Sequence, residues 1–163
     1  MQNSYATWSH LLDEHLKLLL ELGADIKTEK AALLANEIFL LREASLQKDK
    51  TLRRIQNFQK QFVAFQTEQS RQLGHKTVSL STLLKQFDAN EQRVLEKKRH
   101  DLLQVSRTIQ RTNQFNEKCM RTYLNQVTVW QSLFSLVSKD SQTYTAAGAA
   151  NLKTTGRLID RSF

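Results

Sequence analysis

The chain has 163 residues, no proline, four glycines, 40% hydrophobic and 25% charged residues, and a formal charge of +8. That length suggests one domain, and the lack of proline and of strand-like runs argues against a sheet fold. One cysteine, Cys119, excludes an internal disulfide and suits a reducing compartment.

The first segment has its apolar residues at steps of three and four. Trp8, Leu11, Leu12, His15, Leu18, Leu19, Leu22 and Ile26 share one side. The stripe continues through Leu33, Leu34, Ile38 and Leu41, then resumes with Leu52, Ile55, Phe58, Phe62 and Phe65. This predicts long helix over about 4–72, with Ser4 as a candidate N-cap. The spacing drifts at Ala35-Asn36 and again over Gln47–Lys50, so a kink or break is expected at one of them. Gly23 interrupts the pattern locally, and Gly74 suits the left-handed position after a helix end.

A short helix is predicted over 79–87 from the stripe Leu80, Leu83, Leu84 and Phe87. Asp88 and Glu91 then have the spacing of a capping box. The helix that follows is expected over about 89–139. Its seam reads Leu102, Val105, Ile109, Thr112, Asn116, Cys119, Tyr123, Gln126, Trp130, Leu133 and Val137. Thr112 and Asn116 make the middle of that seam polar, a pattern that fixes register at some cost in stability. Phe115, Met120, Leu124, Val127 and Phe134 widen the apolar face towards the C-terminal end. A face that wide contacts either two internal neighbours or a partner helix.

The fold expected is all-α: long antiparallel helices in a coiled-coil-like up-and-down bundle over 1–141, then a flexible tail over 142–163. The tail holds Gly148, Gly156 and one aromatic, Tyr144, before the terminal Phe163.

Catalytic and metal-binding patterns are missing. No phosphate loop or nucleophile elbow is present, and His10, His15, His75 and His100 form no metal-ligand spacing with one another or with Cys119. No enzymatic activity, cofactor, metal or small-molecule substrate is expected. The basic charge is spread from about Arg53 onward, with Lys97-Lys98-Arg99-His100 its densest run. Nucleic-acid binding is therefore the lesser alternative. The N-terminal Leu-rich stretch carries charges every few residues, so no membrane insertion is expected.

Several stretches, taken in order, resemble the FlgN family of flagellar type III export chaperones. They are Leu11–Leu22, Leu33-Leu34-Ala-Asn-Glu-Ile38 with Lys48 and Lys50 following, and Leu80-Ser-Thr-Leu83-Leu84. The asparagines Asn113 and Asn116 and the tail Tyr144-Thr-Ala-Ala-Gly148 with Arg157-Leu-Ile-Asp160 complete the set. The resemblance implies a cytoplasmic protein that binds the C-terminal amphipathic helix of the hook-associated proteins FlgK and FlgL. It also implies delivery of the client to the export gate protein FlhA. The client groove is expected at Phe115, Cys119, Tyr123, Val127, Trp130, Phe134 and Val137, and gate docking at Tyr144 and Gly148. The basic balance departs from the acidic one expected of that family. A different coiled-coil adaptor or export chaperone is the other alternative, and the oligomeric state expected is a monomer or weak homodimer.

Overall fold

The computed structural model describes residues 2–72, 82 and 86–140. Three long helices account for most of them: α1 (Gln2–Ala35), α2 (Ile38–Gln72) and α3 (Ala89–Asp140). The chain divides into two compact units, Met1–Thr122 and Tyr123–Phe163, with the boundary inside α3. Composition alone places a boundary near residue 141.

The segment expected over 4–72 with a kink or break is broken at Asn36 into two helices folded back on each other. Helix α1 ends at Ala35 and Asn36 takes φ 55°, in the left-handed region. The Asn36 amide donates to Leu33 O at 3.2 Å and the Glu37 amide to Ala32 O at 3.0 Å. This is the Schellman arrangement, which satisfies the last carbonyls of a helix while turning the chain. Asparagine tolerates that conformation better than other non-glycine residues. The second drift in spacing, Gln47–Lys50, lies within unbroken α2.

The reversal makes α1 and α2 an antiparallel pair, the closest-packed pair of helices. Near the open end, Trp8 meets Phe65 and Phe62 edge to face, with centroids 5.0 and 5.6 Å apart. Further along, His15 lies 5.2 Å from Phe58. Nearer the turn, Thr51 Oγ1 donates to Asp25 Oδ2 at 2.6 Å, and Lys48 pairs with Glu29.

The first part of α3 completes a three-helix core. Its start is capped as expected: Asp88 Oδ1 accepts from the amides of Asn90 and Glu91, at 2.8 and 2.9 Å. In return, the Asp88 amide donates to Glu91 Oε2 at 3.3 Å. The short helix expected over 79–87 falls largely outside the described residues, and Gln86 and Phe87 are non-helical.

Two apolar clusters form the core. One joins Trp8 and Leu12 of α1 to Leu95 and Leu102 of α3. The other joins Leu18, Leu22 and Ile26 to Ile55 and Phe58, with Ile109 packed against it. Burying each such side chain contributes about 1.5–3 kcal/mol. Polar contacts hold α3 along α1: Lys98 Nζ donates to Ser9 Oγ and to Asp13 Oδ2, each at 2.6 Å.

Candidate functional site

Within the first unit, the seam expected on α3 is covered by α1 and α2. Leu95, Leu102 and Asn116 are buried, and Val105, Ile109, Thr112 and Cys119 are half-buried. The polar layer centres on Asn116. Its Nδ2 donates to Ile26 O at 3.0 Å and to Glu29 Oε2 at 2.9 Å. The fully buried Glu29 carboxylate also pairs with Lys48 and accepts from Ser45 Oγ at 3.4 Å. A buried carboxylate is costly unless several donors converge on it, and here three do. The layer therefore holds α1, α2 and α3 in one register near the turn. Asn113 is exposed.

Phe115 and Cys119, expected in the groove, also belong to this first unit. The Lys30 ammonium lies 4.5 Å from the centroid of the Phe115 ring, a cation–π contact. Cys119 is half-buried, as a small apolar packer is.

The second unit's described part is the continuation of α3 alone. Every described side chain from Arg121 to Leu136 is exposed. Trp130 is 60% and Phe134 69% exposed, their rings 6.3 Å apart on one side of the helix. Tyr123 and Val127 are exposed with them. Val137 is helical, and its side chain lies outside the described residues, as do Tyr144 and Gly148.

The exposed apolar surface here is wider than the expected groove. Leu124, Val127, Val129, Trp130, Phe134 and Leu136 are all exposed. At roughly 100° per residue they span about 240° of the helix. A stripe of about 100° is enough to face one core. No Asp, Glu, Lys or Arg occurs between Arg121 and Lys139. The sequence signal for this width was the pair Val129 and Leu136, which lie off the heptad seam.

A second exposed apolar patch includes Leu34 and Ile38, which the sequence places on the continuing apolar stripe. At the α1–α2 turn, Leu34, Ile38, Phe39 and Leu40 are exposed, Phe39 by 86%. Its signal was four apolar residues flanking the Asn36 turn.

Chemistry-bearing clusters are sparse. Among the described residues no group of three or more His, Cys, Asp or Glu side chains could hold a metal ion. A shallow cleft of about 380 Å³ between α1 and α3 is lined by Gly23, Ala24, Lys27, Val105, Thr108 and Ile109 among others, with Lys27 its one ionisable group. No helix among the described residues is long and apolar enough to cross a membrane.

The chain is an all-α helical protein, and among the described residues its last helix carries an exposed apolar face without Asp, Glu, Lys or Arg. The family model described as FlgN protein matches residues 1–151, and the chain belongs to the FlgN family, chaperones of flagellar export. No curated protein and no solved structure matches the chain.

Proposed function

We propose that the chain binds the C-terminal amphipathic helix of the hook-associated proteins FlgK and FlgL in the cytoplasm and passes them to the export gate protein FlhA. The observation that supports this reading is the exposed face of α3, with Val127, Trp130 and Phe134 at its centre. An amphipathic client helix laid along that face buries apolar surface on both partners. The client helix orders as it binds, which offsets part of the gain and keeps the complex reversible. Reversibility suits a handover.

Large aromatic side chains dominate such contacts, which singles out Trp130. Titrating FlgK or FlgL into the Trp130→Ala chain is expected to show at least about tenfold weaker binding, near 1.4 kcal/mol. Unchanged affinity in a folded variant refutes this placement. For the tail we propose gate docking through Tyr144, hinged at Gly148. Removing residues 142–163 is then expected to abolish FlhA binding and leave client binding intact. Loss of client binding in that truncated, folded chain assigns the tail to the client face instead.

A further inference from the structure

We propose that the outward face of α3 between Arg93 and Lys118 is a docking surface for an anionic phospholipid membrane. Positions 93, 97, 100, 104, 107, 111, 114 and 118 recur at steps of four and three, so they form one line along the helix. At roughly 100° per residue they stay within about 100° of its circumference, and the line is about 38 Å long. It lies opposite Leu95, Leu102, Ile109 and Asn116, which α3 turns towards the core, and all of its side chains are exposed.

The line is positive and unpaired. Arg93, Lys97, Arg107, Arg111 and Lys118 are its cations, and His100, Gln104 and Gln114 fill the remaining places. It holds no carboxylate and no apolar side chain. Glu96 and Glu117 stand beside it, and Glu117 is engaged by Arg121 at 2.7 Å. None of the five cations forms an ion pair among the described residues, whereas Lys48, Arg54 and Lys98 each reach a carboxylate on another helix. Arg93 with Lys97, and Arg107 with Arg111, are like charges four residues apart, a spacing that destabilises a helix. No ion pair among the described residues offsets that repulsion, and an external anionic surface does. Residues 89–122 hold eight basic and four acidic residues, a net of +4, which is half the charge of the whole chain.

The chemistry of the line selects a lipid surface among the anionic partners. A protein interface needs a desolvated core of large anchors, and this line has none. Single-stranded nucleic acid is held by aromatic stacking, and the line has no aromatic. Duplex phosphates wind around their axis once in about 34 Å, so a straight line of this length meets only some of them. Anionic headgroups are mobile in the plane of a bilayer and can gather under every cation of a straight line. Each Lys or Arg close to such a surface adds to the attraction, which fades within a Debye length. The contact is peripheral, in keeping with the lack of a membrane-crossing helix among the described residues. It is separate from the client face proposed above and does not rest on it.

Co-sedimentation of the full chain with vesicles tests the proposal, with no client present. The chain is expected to pellet at low salt with vesicles of equal parts phosphatidylglycerol and phosphatidylcholine, and not with phosphatidylcholine alone. About 1 M salt, where the screening length falls to about 3 Å, is expected to release it. Arg107→Glu with Arg111→Glu is expected to weaken vesicle binding at least about tenfold, with helix content unchanged by circular dichroism. Arg53→Glu with Lys60→Glu makes the same change of net charge on the exposed side of α2 and is expected to keep binding within about threefold of wild type. Failure to pellet with the anionic vesicles, equal binding to the neutral ones, or equal losses in the two double variants overturns the proposal. Duplex DNA or polyglutamate, added at the same concentration of negative charge as the lipid, is expected to leave the chain on the vesicles. Release by either one assigns the line to that polyanion and overturns the membrane reading.

Discussion

Asn116 of α3 donates its amide hydrogen to Glu29 of α1 at 2.9 Å, and both side chains are buried. The bond ties α3 to the hairpin at a polar layer in the middle of the seam. Asn116→Ala removes two donated hydrogen bonds and one of the partners that stabilise a fully buried carboxylate. The expected loss is about 1–3 kcal/mol, measured by urea unfolding. A double-mutant cycle with Glu29→Gln is expected to show a coupling of at least about 0.5 kcal/mol.

Gly23 sits inside α1, where glycine costs backbone entropy. A Cβ at this position meets Ile109 Cγ1 at 3.6 Å and Cδ1 at 3.9 Å, ordinary van der Waals contact. Gly23→Ala is therefore expected to stabilise the chain by about 0.5–1 kcal/mol, read as a higher unfolding midpoint. A lower midpoint shows that the α1–α3 contact is tighter than these distances imply.

His15 lies against the Phe58 and Phe62 rings, and burial pushes its imidazole pKa below the ordinary 6.5. The folded chain thus favours the neutral ring. Its contribution is fully present above pH 6.5 and is lost as pH falls from there through the lowered value. Unfolding midpoints are expected to drop between pH 7.5 and 5.5 in the wild type, and by less in His15→Phe. Equal drops in both chains assign the acid sensitivity to other groups.

The two tryptophans give opposite expectations. Trp8 is 1% exposed and packed between Phe62 and Phe65, so Trp8→Ala is expected to cost about 3–5 kcal/mol. Trp130 is 60% exposed, so Trp130→Ala is expected to change stability by less than about 0.5 kcal/mol. Fluorescence reads the same contrast. Trp8→Phe leaves the red-shifted emission of a wet indole, and Trp130→Phe the blue-shifted emission of a buried one. A blue emission from Trp8→Phe contradicts the exposed face.

The helices were legible in the sequence because their apolar steps of three and four run for many turns, and the cap at Asp88 was legible because Asp and Glu sit three apart. A kink or break at Ala35-Asn36 was legible as one of two candidate places, but the full reversal there was not. Gly23 is the stronger breaker by propensity, yet it lies mid-helix, while a single left-handed asparagine turns the chain. Packing of α1 on α2 decides between them, and propensity cannot see packing. The apolar face of α3 was half legible. Trp130 and Phe134 stood out by size, but the pattern had offered internal neighbours as an equal reading.

The sequence by itself determined the helical class, the heptad register of α3 and the uncharged run before Lys139, because all three depend on residue order alone. Only the tertiary structure decided where that register is covered. Positions such as Leu102 and Trp130 follow the same spacing rule, yet the first is buried and the second bare. Leu102 is covered by Trp8 and Leu12 of α1. Burial depends on atoms distant in sequence, and that distance is closed by the turn at Asn36.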